Sequence, residues 1–235
     1  MGAGLGKSRK NGDPVVAIDG PASSGKSTAA RLLARDLGWT YLDTGAIYRT
    51  LGWLARQEGV SLEDEGALVA LCPRLEGLSF QWNSEGGVNV LLNGEDVTSH
   101  IRGEEAGRWA SDVSRHPKVR QALLDLQRSF TLRGPLVTEG RDTGTVVFPK
   151  ARWKVFLTAS LEERALRRLR EMKLEGEKET MERIKRAIKE RDEQDSQRPM
   201  APLKKAPDAL ELDTTHLSPA EVVERIKKLV EEVNR

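Results

Sequence analysis

The chain has 235 residues, of which 38% are hydrophobic and 31% charged, and its formal net charge is +2 at pH 7. This length suffices for a full core in one α/β domain with small appendages. The near-neutral charge excludes a global field that would draw the protein onto nucleic acid or an anionic membrane, so we predict neither partner.

The N-terminal residues 1–13 are rich in glycine and basic side chains and predict a disordered extension. They lack the apolar segment of a secretory signal, and no run in the chain approaches the ~20 apolar residues of a membrane-spanning helix. The one cysteine, Cys72, lies in an apolar run and is expected to be a small buried hydrophobe. It has no intrachain disulfide partner, which favours a reducing cytoplasm.

Five short apolar runs, each leading toward a loop or a helix start, predict the buried parallel strands of βα units. The runs are 15–19, 40–43, 136–138, 154–158 and 209–212. We therefore expect an α/β fold in which helices flank a five-stranded parallel sheet.

Three segments lie outside this minimal pattern. Residues 78–98 predict an antiparallel hairpin, with a glycine break at 86–87 and an Asn-Gly turn at 93–94. Residues 104–133 predict helices broken near Pro117; together with the hairpin and the helix after Gly45, they form an insertion of roughly 80 residues between the second and third predicted strands. Residues 161–198 are dense in both signs of charge, which is typical of solvated helix faces, and Gly176 predicts a hinge or short loop among them.

One loop carries a specific chemical signal. The sequence GPASSGKST at 20–28 matches the phosphate-binding pattern of two glycines, a lysine and a hydroxyl, with a predicted strand before it and a predicted helix, 26–37, after it. Glycines let backbone N–H groups converge on phosphates, Lys26 supplies a charge, and the Ser27 hydroxyl can hold Mg²⁺. The predicted triphosphate-binding residues are Gly20, Pro21, Ala22, Ser23, Ser24, Gly25, Lys26, Ser27 and Thr28.

This loop alone does not distinguish a GTPase, an ATP-driven motor and a small kinase. A GTPase would need a guanine-selecting Asn-Lys-x-Asp, and the sequence contains none. A motor usually ends a long apolar strand in an acidic pair. Here the third predicted strand leads to Glu139-Gly-Arg141-Asp142, which suits a second anionic substrate better than activation of water.

Ligands of open parallel sheets bind beyond the carboxyl ends of the strands. Thr44 ends the second strand and Arg49 follows one helical turn after Gly45, so the two can converge on a phosphate; the alternative is that Asp43 or Thr44 merely caps the helix. Further along the chain, three charged residues share one helical face and, with the end of the third strand, can form a charge-neutralising clamp. They are Arg191, Asp195 and Arg198.

Taken together, GPASSGKST at 20–28, LDTGAIYR at 42–49, EGRDTGTVVFP at 139–149, IKERDEQDSQRPMAPL at 188–203 and the hairpin-bearing insertion make the chain resemble the bacterial cytidylate kinases. The resemblance covers essentially everything after residue 14. It implies a P-loop core (14–46, 134–163 and 199–235), an enlarged NMP-binding domain (47–133) and a short helical lid (164–198). It also implies transfer of the γ-phosphate of ATP to CMP or dCMP with Mg²⁺.

The resemblance further implies roles for individual residues. Those expected at the CMP phosphate are Thr44, Arg49 and Arg141. Those expected at the cytosine are Ser111, Arg120 and Asp142. Asp195 would hold the sugar beside Arg198, and the lid arginines approaching the transferred phosphoryl group would be Arg164, Arg168 and Arg191. One departure is visible, because many relatives have glycine after the P-loop lysine where this chain has Ser27, the metal-binding hydroxyl.

Two other functions remain open at this stage. One is a small P-loop kinase for a different nucleotide or for a hydroxyl-bearing metabolite such as shikimate, which the insertion and the combined EGRD and ERD segments disfavour. The other is a non-catalytic ATP-binding or RNA-associated module, disfavoured by the near-neutral charge. We predict that the protein acts as a monomer.

Overall fold

A computed structural model describes residues 13–174 and 179–232 of the chain. The strands are β1 (Asp13–Asp19), β2 (Thr40–Asp43), β3 (Leu78–Trp82), β4 (Val88–Leu92), β5 (Glu95–Asp96), β6 (Leu136–Gly140), β7 (Ala151–Thr158) and β8 (Leu210–Asp213). The α-helices are α1 (Lys26–Leu37), α2 (Thr44–Gln57), α3 (Glu65–Leu71), α4 (Gly103–Ser114), α5 (Pro117–Ser129), α6 (Leu161–Leu174), α7 (Met181–Gln197) and α8 (Pro219–Glu232).

The central sheet has five parallel strands in the order β2-β6-β1-β7-β8. The predicted α/β fold is therefore confirmed, and β2 has the predicted bounds. β6 runs on through Glu139 to Gly140, because backbone pairing with β1 and β2 continues beyond the apolar residues. β7 begins three residues earlier than its apolar run suggested, and β8 is displaced by one residue.

Both faces of this sheet are covered, as its apolar strands require. Along β1, Val15 and Ala17 belong to the core beneath α2, whereas Val16 and Ile18 belong to the core beneath α1 and α8. All four side chains have no exposed surface. This alternation produces two apolar layers, and the loops at the strand ends are left to carry polar groups.

The predicted hairpin is present as an antiparallel sheet in the order β3-β4-β5, whose short third strand the sequence did not reveal. Asn93 and Gly94, with φ of 52° and 86°, form the tight turn between β4 and β5. The Phe80 ring lies 5.8 Å from that of Tyr41, edge to face. Through this contact the hairpin packs on β2 of the central sheet.

Helices α6 and α7 form a pair with a small apolar core of their own, which includes Ala165, Met172, Ile184 and Ile188. The predicted hinge at Gly176 lies outside the described residues, as do residues 1–12 of the predicted extension. Position 13 was wrongly included in that extension, because Asp13 opens β1 and its N–H donates to the carbonyl of Lys150.

Cys72 is buried and free, as predicted. Among the described helices, none combines the length and the apolar character needed to cross a bilayer.

Candidate active site

The carboxyl ends of β1, β2 and β6 meet at one edge of the central sheet. Asp19 pairs in register with Gly140, and Asp43 pairs with Glu139. A cleft opens above this edge, between the insertion and the α6–α7 pair. It is lined by Ala22–Ala29, by residues 43–45, by Glu139–Asp142 and by parts of α4 and α7. The sequence argument from strand ends thus located the cleft correctly.

The phosphate-binding loop joins β1 to α1 as predicted, and its geometry requires glycine at Gly20. There φ is +156°, and a Cβ would lie 2.3 Å from the carbonyl oxygen of Leu157. Gly25, with φ of 88°, is the residue from which α1 begins. Of the nine predicted loop residues, Ala22 to Thr28 line the cleft, whereas Gly20 and Pro21 do not.

Lys26 is buried at the floor of the cleft, with 6% of its surface exposed. Its Nζ donates to the carbonyl of Pro21 at 3.0 Å. Burial, together with the charge of Arg141, lowers the pKa of Lys26 to about 7, against the opposing effect of Glu139. An anion bound in this loop would therefore stabilise the charged ammonium.

Asp43 performs two tasks at the start of α2. Its Oδ1 accepts from the Ala46 N–H at 2.9 Å, and its Oδ2 accepts from Arg49 at 2.6 Å. The alternative of a helix cap is thus correct for Asp43. Thr44 is no cap, because its hydroxyl donates to the carbonyl of Glu139 at 2.9 Å. Since Thr44 has one hydroxyl proton, a phosphate would have to compete for it or use the backbone N–H.

A second ion pair lies deeper, between Arg120 on α5 and Asp142 just after β6. Arg120 Nη2 donates to Asp142 Oδ2 at 2.5 Å, and both side chains are 8% exposed. The guanidinium also lies 5.4 Å from the centre of the Tyr48 ring. Ser111 lies on α4, where its hydroxyl donates to Gln194 Oε1 of α7 at 3.0 Å.

Asp195 on α7 is the centre of a third group. Its Oδ2 accepts from Arg141 Nε at 2.6 Å, and its Oδ1 pairs with Arg198. Burial alone would raise the pKa of Asp195, but Arg141 and Arg198 hold it below the usual value. The predicted grouping of Arg141, Asp195 and Arg198 is therefore present.

Arg191, also on α7, differs from these arginines. Among the described residues it makes no ion pair, and its Nε is buried without a hydrogen-bond partner. Burial lowers the pKa of Arg191 to about 10, and the nearby charge of Arg141 contributes in the same direction. The side chain lines the cleft. An anion bound in the cleft would raise the pKa of Arg191 again, because it would offset both the burial of the guanidinium and its repulsion by Arg141.

The two remaining predicted lid arginines differ in position. Arg168 lines the cleft and contacts Glu171 at 3.5 Å. Arg164 is not among the lining residues; its Nη1 donates to the carbonyl of Ala22 at 3.1 Å and to Asp192 Oδ2 at 2.5 Å. Asp192 Oδ1 in turn accepts from the Ala22 N–H at 3.0 Å. Arg164 thus ties α6, α7 and the phosphate-binding loop together.

Sequence reasoning missed three residues that contact this loop: Asp192, Arg167 and Thr214, whose hydroxyl donates to the carbonyl of Ser24 at 3.1 Å. Asp192 directly follows Arg191, and the sequence gives no sign that it reaches a loop 170 positions away. Arg167 on α6 donates to the carbonyl of Ser24 at 3.3 Å and to the carbonyl of Thr214 at 2.6 Å. Its spacing of four from Glu163 suggested only an ordinary helix ion pair, which is also present.

The donor set at the end of β6 suits Mg²⁺. A hydrogen bond with the Ser27 hydroxyl lowers the pKa of Glu139, although burial and the charge of Asp43 raise it overall. A hydroxyl and a carboxylate side by side at a phosphate-binding loop are the protein ligands that P-loop enzymes give to this ion. Among the described residues no group of three or more acidic, His or Cys side chains could hold a metal. The remaining ligands would have to come from phosphates and water.

A family model described as "Cytidylate kinase" matches residues 16–232. The chain belongs to the cytidylate kinase family. The match runs from β1 to the last turn of α8 and includes each part of the cleft described above. The resemblance expected from the sequence motifs is therefore confirmed.

Curated relatives include cytidylate kinases from several bacteria. That of Stutzerimonas stutzeri (strain A1501) is 50% identical over 214 residues, which are 91% of this chain and 93% of that protein. That of Geobacillus sp. (strain WCH70) is 48% identical over 218 residues, covering 92% and 96%. Among solved structures, TT1252 from Thermus thermophilus aligns with a TM-score of 0.46 at 21% identity, covering 94% of this chain and 97% of that one.

Proposed function

We infer that this chain is a phosphotransferase that moves the γ-phosphate of ATP to CMP and dCMP, producing ADP and CDP or dCDP. The cytidylate kinase family model matches residues 16–232, and curated members are 50% and 48% identical to this chain. Both findings support this function. The enzyme uses ATP as phosphoryl donor together with Mg²⁺.

The observation that carries this function in the structure is a pair of cations in the cleft that have no ion-pair partner among the described residues. Lys26 and Arg191 form no ion pair with any described residue, yet burial lowers the pKa of both. Lys26 belongs to the phosphate-binding loop, and both cations line the same cleft as the buried Arg120–Asp142 pair. Such charges are costly to bury unless an anion arrives to balance them.

We propose the following roles for the residues of the cleft. Ala22 to Thr28 bind the ATP phosphates, and Ser27 with Glu139 holds Mg²⁺, which neutralises charge on the β- and γ-phosphates when bound. Arg49 and Arg141 bind the CMP phosphate, Asp195 with Arg198 binds the sugar, and Arg191 with Arg168 stabilises the transferred group. Arg164 acts from outside the cleft, through its bonds to Ala22 and Asp192.

The reaction needs no catalytic base. A nucleotide phosphate has a second pKa of about 6, so at neutral pH the CMP phosphate is mostly dianionic and already nucleophilic. One of its oxygens forms a bond to the γ-phosphorus as the bond to the β-phosphate oxygen breaks, and the electron pair leaves with ADP. The cleft supplies position and positive charge, through Lys26, Arg141 and Arg191.

Cytosine would be selected by Asp142. Arg120 occupies its Oδ2, so Oδ1 is left to accept a hydrogen bond from the cytosine amino group. Uracil would present a carbonyl oxygen to the same carboxylate, which costs on the order of 1–3 kcal/mol for an unmatched buried pair. Ser111 and Arg120 complete the proposed base site.

We further propose that the protein works as a cytoplasmic monomer without nucleic acid. The net charge is only +2, and Cys72 is a buried free thiol. We also propose that 47–133 serve as the NMP-binding domain and 164–198 as the lid, around the core. The lid's own small apolar core supports its movement as a unit.

The test of this function is a coupled ADP-release assay with CMP, dCMP, UMP, AMP, dTMP and shikimate as acceptors. We expect turnover with CMP and dCMP, and much lower kcat/KM for the others. Absence of turnover with CMP would refute the function. Preference for shikimate would favour the alternative small kinase, and slow ATP loss indifferent to CMP would favour a binding module.

ATP binding should take up a proton above neutral pH. Because the pKa of Lys26 is lowered to about 7 in the free protein, the side chain is largely neutral at about pH 8, and bound phosphates would recharge it. Isothermal titration calorimetry at about pH 8, in two buffers with different ionisation enthalpies, should show uptake approaching one proton. ATP affinity should fall as the pH rises above this pKa.

The control is Lys26→Arg, whose guanidinium stays charged at these pH values. It should bind ATP with no proton uptake at about pH 8, where the ATP phosphates are fully ionised. Equal uptake by both proteins would assign the proton to another group.

A further inference from the structure

Asp19, the last residue of β1, has a buried carboxylate that the proposed reaction does not use. Its Oδ1 accepts from the Thr143 N–H at 2.8 Å and from the Thr143 hydroxyl at 2.8 Å. Its Oδ2 accepts from the Gly144 N–H at 2.7 Å. Only 4% of the residue is exposed. All three bonds therefore connect β1 to one short segment more than 120 positions away.

That segment begins directly after Asp142. A single π-helical turn covers Thr143–Val147, and the carbonyl of Asp142 accepts the N–H groups of Val146 and Val147. Asp19 thus holds the first two N–H groups of this turn. Since the turn starts at the proposed cytosine-binding residue, its orientation sets where the Asp142 carboxylate points.

The fit around the carboxylate is close. A Cβ on Gly144 would lie 3.3 Å from Asp19 Oδ2 and 3.3 Å from the Lys154 side chain. No ion pair joins Asp19 to a cation in the described part of the chain; Lys154 Nζ donates instead to Asp208 at 2.8 Å and to the carbonyl of Pro149 at 2.7 Å. The nearby Asp142 has the same sign of charge.

Keeping a carboxylate here has an energetic cost. Burial raises the pKa of Asp19 to about 6, even though the bonds from Thr143 and Gly144 lower it. The folded state therefore favours the protonated acid, and ionisation at neutral pH opposes folding. An asparagine would avoid this cost but could not accept all three hydrogen bonds, so the carboxylate is the group that can hold both N–H groups and the hydroxyl at once.

We propose that Asp19 is a positioning residue for base selection: by holding the turn after Asp142, it fixes the carboxylate that distinguishes cytosine from uracil. This inference rests on the proposed function. A purely structural role at the root of the phosphate-binding loop predicts something different. Since Gly20 follows directly, general disorder there would weaken ATP and CMP binding together.

The test compares three variants with the wild type, using CMP and UMP as acceptors. Asp19→Asn retains one acceptor oxygen but turns an NH₂ group toward an N–H, so one bond is replaced by a repulsive contact. Thr143→Val removes only the hydroxyl donor. Asp213→Asn is the control for the loss of a carboxylate at a strand end: Asp213 ends β8 and accepts from the N–H and hydroxyl of Thr215, but it is exposed and its partner is only two positions away.

For Asp19→Asn we expect the ratio of kcat/KM for CMP to that for UMP to fall about tenfold, consistent with one unmatched buried bond. The KM for ATP should change less than about twofold, and the melting temperature by only a few degrees. Thr143→Val should shift the ratio in the same direction by about threefold. Asp213→Asn should leave the ratio and the KM for CMP at their wild-type values.

An unchanged ratio in Asp19→Asn, or an ATP KM that rises as much as the CMP KM, would overturn the proposal. If Asp19→Asn does not fold, the same CMP-to-UMP ratio of kcat/KM is measured for Thr143→Val. An unchanged ratio in that variant would refute the positioning role of Asp19. Failure of the wild type to phosphorylate CMP is a separate outcome and refutes the proposed function instead.

Discussion

Lys26→Ala should lower kcat with CMP by about 10³-fold or more, since groups that stabilise transition-state charge in dry sites contribute roughly this much. Lys26 is the buried cation of the phosphate-binding loop, and no other lysine of residues 13–174 and 179–232 lines the cleft. Steady-state kinetics with saturating ATP and CMP would measure the loss.

The fold should survive this substitution. Burial of the ammonium is unfavourable, as the lowered pKa indicates, so its removal should not reduce the melting temperature. Lys150→Ala is a suitable control, because Lys150 is exposed in the turn before β7 and should keep wild-type kcat. A Lys26→Ala enzyme with wild-type kcat would show that this loop is not the phosphoryl-donor site.

Asp142→Ala should lower kcat/KM for CMP by about 10²-fold, because it removes the proposed partner of the cytosine amino group and releases Arg120. The affinity for ATP, measured by calorimetry without CMP, should change less than about twofold. The stability should fall by about 3–5 kcal/mol, since a buried guanidinium loses its carboxylate. Activity should therefore be measured well below the melting temperature of the variant.

Asp142→Asn separates base reading from stability. It keeps the volume of the side chain and offers an NH₂ group, which can donate to the uracil carbonyl but not accept from the cytosine amino group. The preference for CMP over UMP should then narrow or reverse. Equal losses for ATP and CMP in both variants would show that Asp142 supports the cleft as a whole and does not read the base.

Local sequence signals predicted the structure around the phosphate-binding loop and the hairpin turn well. The glycine–lysine loop between an apolar run and a helix predicted α1 with its bounds, and the Asn93-Gly94 pair predicted a hairpin turn. These features depend on neighbouring residues, whose dihedral preferences and spacing the sequence shows directly. The end of β6 was less visible, because Glu139 is polar yet buried by pairing on both sides.

Contacts between distant segments could not be predicted in this way. Asp192 reaches Ala22 across 170 positions, and Asp19 reaches Thr143 across 124. Each of these carboxylates looked like an ordinary charged residue at a strand end or on a helix face. The partner of Arg120 is a further example, because only the fold brings α5 beside the turn after β6. Resemblance to the family placed Arg120 and Asp142 in one site without indicating that they form a buried pair.

The strand order of the central sheet sets the separation between the phosphate-binding loop and the start of α2. β6 lies between β1 and β2, and adjacent strands are about 4.8 Å apart, so the loop after β1 and the helix start after β2 are anchored roughly 10 Å from each other. Backbone hydrogen bonds of the sheet maintain this spacing, which does not depend on side chains or on the lid. The sheet therefore fixes the spacing between the phosphate-binding loop and the start of α2, and a movement of the proposed lid would alter the water content and the arginine positions of the cleft without altering this spacing.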